Sequence, residues 1–236
     1  MADEWFGIAT PDHFWIKRRY EVLRKLTTDL IGRERRYVDV GCGHGLLQGA
    51  LARDYGCVVD GCDLNMEALS QNRSGQRCFH YDILEARPEF SQKYDGVFAL
   101  DVVEHIIDET SFIEALFAMA KPGGFVCINV PALMSFYSDY DRRAGHHRRY
   151  NIADVKRIAQ QLGASIQAWS YWGMPLIPLA VARKQVLKLV PEERVIKTGF
   201  KPPGKLGNYI LSAISALEKV PNHTVGTSLL AVLTRP

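Results

Sequence analysis

Apolar runs of strand length recur along this chain of 236 residues, and stretches with helical spacing separate them. The early runs are continuous rather than alternating in polarity, which is typical of strands that are covered on both faces. Seven runs predict strands: YVDVG (37–41), CVVDGCD (57–63), RCFHYD (77–82), DGVFALD (95–101), GFVCINV (124–130), SIQAWSYWG (165–173) and SLLAVL (228–233).

Between these runs, apolar residues recur every three or four positions, as they do on helices that pack against a sheet. Alternating strands and helices predict an α/β domain built on a mostly parallel sheet. We expect a single domain over residues 1–236, with an N-terminal helical cap over residues 1–35. The predicted helices lie in PDHFWIKRRYEVLRKLTTDLI (11–31), LLQGALARDY (46–55), MEALSQN (66–72) and SFIEALFAMA (111–120).

Composition and charge narrow the class of protein. The 47% of apolar residues suffice for a sizeable core, and 29 Lys and Arg against 26 Asp and Glu give a net charge of only +3, so we expect no nucleic-acid partner. The five cysteines form no CxxC pair, which predicts buried thiols in a reducing compartment. The opening MADEWFGIAT has no long apolar stretch, so we expect a cytoplasmic protein.

The segment VDVGCGHGLL (38–47) predicts a strand that runs into a glycine-rich turn and then a helix. Its three glycines would let the backbone approach a ligand that also meets the N-terminus of the helix. Leu46 stands where the dinucleotide fingerprint requires a third glycine, which disfavours a nicotinamide cofactor. Asp63 ends the second predicted strand, where a carboxylate accepts ribose hydroxyls. The two features together predict a crevice for a nucleoside.

The glycine loop, Asp63, Asp82, YDGVFALDVVEHI (94–106) and KPGGFVCINVP (121–131) follow one another in an order that resembles the class I S-adenosylmethionine-dependent methyltransferases. The resemblance implies a Rossmann-like seven-stranded sheet in the order 3-2-1-4-5-7-6, with the final strand antiparallel and helices on both faces. It also implies S-adenosyl-L-methionine as the cofactor and S-adenosyl-L-homocysteine as the product. Carried over by position, the cofactor-binding residues are Arg19, Asp39, Gly41, Cys42, Gly43, Asp63, Leu64, Asp82, Ile83 and Asp101.

The segment DYDRRAGHHRRYN (139–151) concentrates basic side chains just beyond the fifth strand, at the edge where α/β sheets bind ligands. Its pattern D-x-x-x-G-H-x-R-R-Y resembles a bacterial methyltransferase subgroup found beside enzymes of glycan or lipid biosynthesis. We expect residues 131–151 to form a basic lid in which His146 is the general base and Asp141 orients it. A solvated basic loop is the alternative. The residues expected to bind an anionic acceptor are Arg148, Arg149 and Tyr150.

In the same subgroup the pattern H-F-W-x-x-x-R precedes the first strand, and here it runs from His13 to Arg19. The resemblance implies that Arg19 reaches the carboxylate of the donor. Phe14 and Trp15 are expected to be packing residues that close the cofactor cavity.

The sequence DVVEH (101–105) is similar to an ExxEH motif that binds a divalent ion in ubiquinone-pathway O-methyltransferases. Asp101 replaces the first glutamate of that motif and has a shorter side chain. We therefore expect no divalent metal, although Asp101, Glu104 and His105 offer ligands of suitable type. In metal-free relatives Glu104 and His105 start the following helix.

Residues 174–226 form a helical insertion before the last strand. Its first half is interrupted by Pro175 and Pro178 and is too short to cross a bilayer. Its second half predicts an amphipathic helix that packs on its own sheet or on a second subunit, and contact of residues 174–220 with a membrane surface is the alternative. The apolar face of that helix comprises Leu206, Tyr209, Ile210, Ala213, Ile214 and Leu217.

These features predict a methyltransferase that acts on a hydroxyl, a carboxyl or phosphoryl oxygen, or an amine of a small or lipid-linked, anionic acceptor. Holding the acceptor about 3–3.5 Å from the methyl group would supply much of the rate. Two alternatives remain, a nicotinamide-dependent oxidoreductase and a regulatory protein that binds the nucleoside without turnover. A peripheral position on the membrane and a homodimer are further expectations.

Overall fold

The computed structural model describes residues 10–187, 189, 195 and 204–235. Its centre is one seven-stranded sheet in the order β3-β2-β1-β4-β5-β7-β6. The order and the mostly parallel arrangement confirm the predicted class I methyltransferase architecture. The strands are β1 (Arg36–Val40), β2 (Val58–Asp63), β3 (Cys78–His80), β4 (Tyr94–Leu100), β5 (Ala120–Pro131), β6 (Ser165–Trp172) and β7 (Ser228–Thr234).

Helices cover both faces of the sheet. A helix of ten residues follows β1 at the positions predicted, because Gly45 before it and Gly56 after it both adopt the left-handed backbone that stops a helix from extending. The described helices are α1 (Phe14–Leu26), α2 (Leu46–Tyr55), α3 (Met66–Ser70), α4 (Glu109–Met119), α5 (Asp139–Ala144), α6 (Ile152–Gln161), α7 (Ile177–Leu187) and α8 (Gly204–Ala216).

The two faces of the sheet bury separate apolar clusters, as the continuous strands predict. On one face Val38 and Val97 pack with the inner side of α4, and on the other Tyr37 and Phe98 pack with α1 and α2. Alternate residues of β1 and β4 therefore serve both cores. By contrast, β3 is shorter than predicted, and Cys78 and His80 on it are exposed, because it is the edge of the sheet.

The strand directions bring one set of strand ends together. β1, β2, β4 and β5 run parallel, and β7 runs antiparallel between β5 and β6, so Trp172 and Pro131 lie level with Ser228. Because β3 also pairs in parallel with β2, the carboxyl ends of six strands and the start of β7 share one edge. In open α/β sheets, ligands bind at this edge.

The apolar face of α8 does not pack on the protein's own sheet, which was one of the contacts expected for it; contact with a second subunit or a membrane surface stays a prediction. Leu206, Tyr209, Ile210 and Leu217 are exposed, whereas Ser215 is buried. Pro178 lies near the start of α7, where the missing amide hydrogen is tolerated. The connector over 190–203 lies outside the described residues except for residue 195, as do residues 1–9 of the predicted cap. No helix of the described part is long and apolar enough to cross a membrane.

Candidate functional site

The loop after β1 adopts the tight conformation that its glycines predict. Gly41, Gly43 and Gly45 all have positive φ, at 74°, 52° and 87°. A Cβ atom on Gly41 would lie 2.4 Å from Cγ2 of Val102, so this position excludes any side chain. Strain and close packing together explain why the loop requires glycine.

Asp63 fixes the glycine loop from the end of β2. Its two carboxylate oxygens accept hydrogen bonds from the backbone nitrogens of Gly43 and Asn65, each at 2.8 Å. A carboxylate oxygen has a second lone pair, so both oxygens can still accept ligand hydroxyls. Asn65 is the N-cap of α3, so Asp63 is not needed to cap that helix.

Asp39 lies under the loop and is buried. Burial raises the pKa of its carboxyl to about 7, although Arg19 nearby acts in the opposite direction, and Asp63 raises the pKa further. A cation bound beside Asp39 would favour the ionised form of this carboxyl.

Arg19 brings α1 to the end of β4, where its guanidinium forms an ion pair with Asp101. Asp101 has a left-handed backbone with φ of 60°, and its other oxygen accepts a hydrogen bond from Nδ2 of Asn129 at 2.7 Å. Oδ1 of Asn129 in turn accepts from Nε1 of Trp172 at 2.8 Å. Burial raises the pKa of Asp101 against the effect of Arg19.

The other predicted cofactor residues border the same crevice from the adjoining loops. Cys42 and Ile83 are buried, whereas Leu64 is exposed. Asp82 follows β3, and its Oδ1 accepts a hydrogen bond from the backbone nitrogen of Leu84 at 3.0 Å. Contacts of these four side chains with a nucleoside stay a prediction.

The basic segment after β5 contains the short helix α5, which the sequence did not predict. Ser138 caps it, because the side chains of Ser138 and Asp141 bond reciprocally to the backbone of the first turn. Asp141 is fully buried and forms a two-pronged ion pair with Arg149, with Nε to Oδ1 at 2.8 Å and Nη2 to Oδ2 at 3.1 Å. Burial raises the pKa of Asp141, but the bonds and charges of His146 and Arg149 outweigh it and bring the pKa to about 2.

His146 is held by the same carboxylate. Its Nδ1 lies 3.1 Å from Oδ1 of Asp141, and its backbone oxygen accepts a hydrogen bond from the hydroxyl of Tyr137 at 2.8 Å. Because Asp141 is ionised, Nδ1 carries the hydrogen and Nε2 carries the lone pair. Nε2 lies 4.0 Å from Oε1 of Glu104. The contact that would orient His146 is therefore in place, and the role of His146 as a general base stays a prediction.

Glu104 is buried, and its Oε2 has no hydrogen-bond partner among the described residues. Burial first, and then the charge of Asp101, raise the pKa of Glu104 well above its usual value. His105 packs edge-on against His146 with 4.8 Å between ring centroids, and burial together with His146 lowers its pKa to about 4. Glu104 and His105 lie on a short turn (Val103–His105) that is separate from α4, so they do not start that helix as predicted.

The possible metal ligands are grouped differently from the predicted set. Glu104, His105 and His146 have ligand atoms within 4.8 Å of one another, whereas Asp101 pairs with Arg19. The expectation that the protein works without a divalent ion stays a prediction.

The three predicted acceptor-binding residues are engaged within the protein. Arg149 is buried in its pair with Asp141, and Tyr150 is buried with its hydroxyl directed at the backbone oxygen of Val103. Arg148 forms an ion pair with Glu109 and keeps a third of its side chain exposed. Of the three, only Arg148 is exposed enough to contact a ligand. Arg149 and Tyr150 would first have to leave the interior.

Sequence reasoning missed three residues at the site. Asn129 links Asp101 to Trp172, and its place as a buried amide in an otherwise apolar strand was an available signal. Tyr140 on α5 lies edge-on to His146, with 6.2 Å between the ring centroids. The guanidinium of Arg183 from α7 lies over the ring of Tyr140, 5.0 Å from its centroid. The contact between Arg183 and Tyr140 brings the insertion against the basic segment after β5. No local sequence pattern indicated this contact.

Comparisons with known proteins agree with this geometry. The sequence model of a family described as "Methyltransferase domain" matches residues 14–172. The ubiquinone biosynthesis O-methyltransferase of a Shewanella species is 33% identical over 136 residues, which are 53% of this chain and 56% of that protein. The protein of the same name from Bordetella avium is 36% identical over 136 residues, covering 53% of this chain and 55% of its own. The chain thus spans about half the length of the curated relatives it matches.

Solved structures share the fold. An S-adenosylmethionine-dependent methyltransferase from Thiobacillus denitrificans, solved in complex with S-adenosyl-L-homocysteine, superposes with a TM-score of 0.56. The match covers 92% of this chain and 91% of that one at 16% identity. At this identity the likeness is one of fold.

Proposed function

This chain belongs to the class I S-adenosylmethionine-dependent methyltransferases, and on that premise we propose that it methylates a hydroxyl group of a small or lipid-linked acceptor. Oxygen is chosen over an amine because the relatives from Shewanella and Bordetella are named O-methyltransferases. A hydroxyl is chosen over a carboxyl or phosphoryl oxygen because a hydroxyl carries a proton that a base such as His146 must remove. The family leaves the nicotinamide oxidoreductase alternative without support.

The residues at the carboxyl edge fit the donor chemically. S-adenosylmethionine supplies an electrophilic methyl group on a positively charged sulfur when it is bound. The buried carboxylate of Asp39 and the partly buried carboxylate of Asp101 favour a nearby cation, and Asp63 can accept both ribose hydroxyls. Arg19 is placed to meet the donor's carboxylate, and the loop of Gly41 and Gly43 lets the backbone come close.

His146 would remove the acceptor's proton. Asp141 keeps Nδ1 protonated, so Nε2 is the atom that can accept a proton, and the carboxylate then stabilises the imidazolium. The 3.1 Å contact between Nδ1 and Asp141 is the observation that carries this proposal. Glu104, whose pKa is raised by burial, lies on the Nε2 side of His146, with its Oε1 at 4.0 Å from that nitrogen.

Arg148 would contact an anionic group of the acceptor at the rim of the site. Its guanidinium already pairs with Glu109, so the acceptor must share or replace this partner. Arg149 is assigned to holding Asp141, since moving it would leave a buried carboxylate without its cation.

The test of the function is methyl transfer by the His146→Ala variant. Isotopically labelled donor is incubated with phenolic acceptors and with cell extract, and labelled products are found by mass spectrometry. We expect the variant to lose about 10²–10⁴-fold in turnover, the usual contribution of a general base, while calorimetry shows unchanged donor binding.

The matched control is His147→Ala, since His147 is an exposed neighbour in the same segment. It should retain turnover. Equal turnover in the wild type and the His146→Ala variant would remove His146 as the base. Donor binding without a labelled product from any acceptor or extract would favour the regulatory alternative.

A further inference from the structure

The amphipathic helix α8 is turned with its polar side toward the protein. The outward face carries four large apolar side chains: Leu206 at 73% exposure, Tyr209 at 71%, Ile210 at 47% and Leu217 just beyond the helix at 80%. The spacing of these residues places them on one side of a helix. Helices of globular proteins usually direct such a face to the core.

The inward contacts of α8 are polar and specific. Oδ1 of Asn208 accepts a hydrogen bond from the backbone nitrogen of Phe14 at 2.8 Å, and Nδ2 of Asn208 donates to the backbone oxygen of Asp12 at 2.8 Å. After the helix, the buried Glu218 accepts from the backbone nitrogens of Gly173 and Met174 at 2.8 and 3.0 Å. These bonds fix the rotation of α8, so its apolar face is directed outward by the fold itself.

The charges beside this face favour a negatively charged partner. Lys205 and Lys219 are exposed at the two ends of the apolar face, and Lys17 of α1 is exposed beside it. Asp12 and Glu21 line the groove between α8 and α1 as well, but Glu21 is already in an ion pair within α1, so the lysines outweigh the free acidic charge. An antiparallel pair of such helices in a dimer would bring lysines from opposite ends together, and like charges at an interface are unfavourable. A bilayer with anionic lipids instead accepts the apolar side chains and attracts the lysines.

We propose that the outward face of α8 docks the protein on an anionic lipid surface. Leu206, Ile210 and Leu217 would enter the boundary between headgroups and acyl chains, with the hydroxyl of Tyr209 at headgroup level. The exposed lysines would remain among the phosphates.

Docking through α8 would bring the active site to the membrane. α8 packs on α1, which carries Arg19, and the segment after α8 leads into β7 at the carboxyl edge of the sheet. This part of the inference rests on the proposed function, because it names the surface on which a lipid-linked acceptor would be met. The docking itself is measured without turnover, so it can fail while methyl transfer to a soluble acceptor stands.

The experiment is flotation of the full chain with vesicles of phosphatidylcholine, with and without phosphatidylglycerol. We expect the protein to float with the anionic vesicles and to be released as salt rises, because salt screens the lysines. The triple variant Leu206→Ser, Tyr209→Ser and Ile210→Ser should partition at least about tenfold less, since its apolar area no longer leaves water. The matched control is Ile107→Ser, whose side chain is 74% exposed elsewhere, and it should float like the wild type.

The triple variant must be folded for this comparison, which is checked by unchanged thermal unfolding and unchanged binding of S-adenosyl-L-homocysteine. Recovery of the wild type in the unbound fraction with anionic vesicles would overturn the proposal. Equal loss of flotation in the triple variant and in Ile107→Ser would overturn it as well. So would light scattering that shows a dimer which the triple variant separates, without any vesicle binding.

Discussion

At the scale of single residues, the site is defined by carboxylates that outnumber their cations. Asp39 lies near the end of β1, Asp101 directly follows the neighbouring strand β4, and Arg19 acts on both carboxyls. Burial raises the pKa of each carboxyl, so the ligand-free site is prone to hold a proton where the donor would bring its positive charge. Binding of the donor and release of a proton are therefore linked.

We expect donor affinity to rise with pH up to about 7, the pKa of Asp39 in the free protein. Below that pH the carboxyl is protonated, and a cation must displace the proton, so affinity falls by up to about tenfold per pH unit. Above it the carboxylate is already ionised and affinity levels off. Calorimetry across the pH range checks this. Asp39→Asn should flatten the curve, and Asp108→Asn on the exposed surface should leave it unchanged; a flat wild-type curve would contradict the linkage.

The positions of most residues expected to bind the donor could be predicted, because they lie at or near the ends of strands whose own pattern is clear, and their contacts with the donor stay a prediction. Asp63 is an example, since the loop glycines and the strand end locate it together. The partners of Arg149 and Tyr150 could not be predicted, because burial and pairing depend on segments distant in the chain. A cluster of basic residues in a sequence does not show which of their charges are already paired with acidic side chains.

At the scale of elements, the segment expected to form a lid contains a short helix that one buried ion pair holds in place. α5 has only six residues, too few to be stable alone, so its position depends on the Asp141–Arg149 pair and on the cap at Ser138. The pattern of helical spacing does not detect a helix of this length. Helices such as α2 were predicted because their apolar spacing and flanking glycines agree.

Replacing Arg149 by Leu should lower the free energy of unfolding by about 3–5 kcal/mol, because it leaves the Asp141 carboxylate buried without its cation. Denaturant titration measures this. The exposed ion pair of Arg53 with Asp54 provides the control, and Arg53→Leu should change stability by less than about 1 kcal/mol. Equal effects of both variants would contradict a fastening role for the buried pair.

The Asp141–Arg149 pair also makes the stability of the folded protein depend on pH in acid. The pKa of Asp141 in the folded protein is about 2, below the ordinary value of an aspartate, so its contribution is complete above about pH 4. The stabilisation is lost as pH falls through the folded pKa.

At the scale of the whole molecule, three distant parts meet at Glu218. Its carboxylate accepts hydrogen bonds from the turn after β6 and from Asn222, and it lies 3.6 Å from Nη2 of Arg18 on α1. The strands followed from the sequence pattern, and their order in the sheet followed from the family resemblance. The rotation of α8 could not be predicted, because an amphipathic pattern shows which face of a helix is apolar. It does not show which face forms hydrogen bonds with the rest of the fold.

We expect Glu218→Ala to lower the free energy of unfolding by at least about 3 kcal/mol, since buried amide hydrogens and Arg18 lose their acceptor. Donor affinity should fall too, because Arg19 is on the helix that Arg18 anchors. Denaturant titration and calorimetry measure the two effects. Glu218→Gln, which keeps an acceptor oxygen, should be milder in both; full stability of the Ala variant would show that α8 is held by other contacts.

The indole of Trp172 is one hydrogen bond from Asn129 and two from Asp101. Trp15 lies 5.0 Å from it between ring centroids, and the guanidinium of Arg19 lies 5.1 Å from the ring of Trp15. The indoles of Trp15 and Trp172 are consequently an intrinsic fluorescence probe of this site. Arrival of a cation beside Asp101 changes the polarity and charge around both rings, so tryptophan emission can follow loading of the protein in real time without an attached dye.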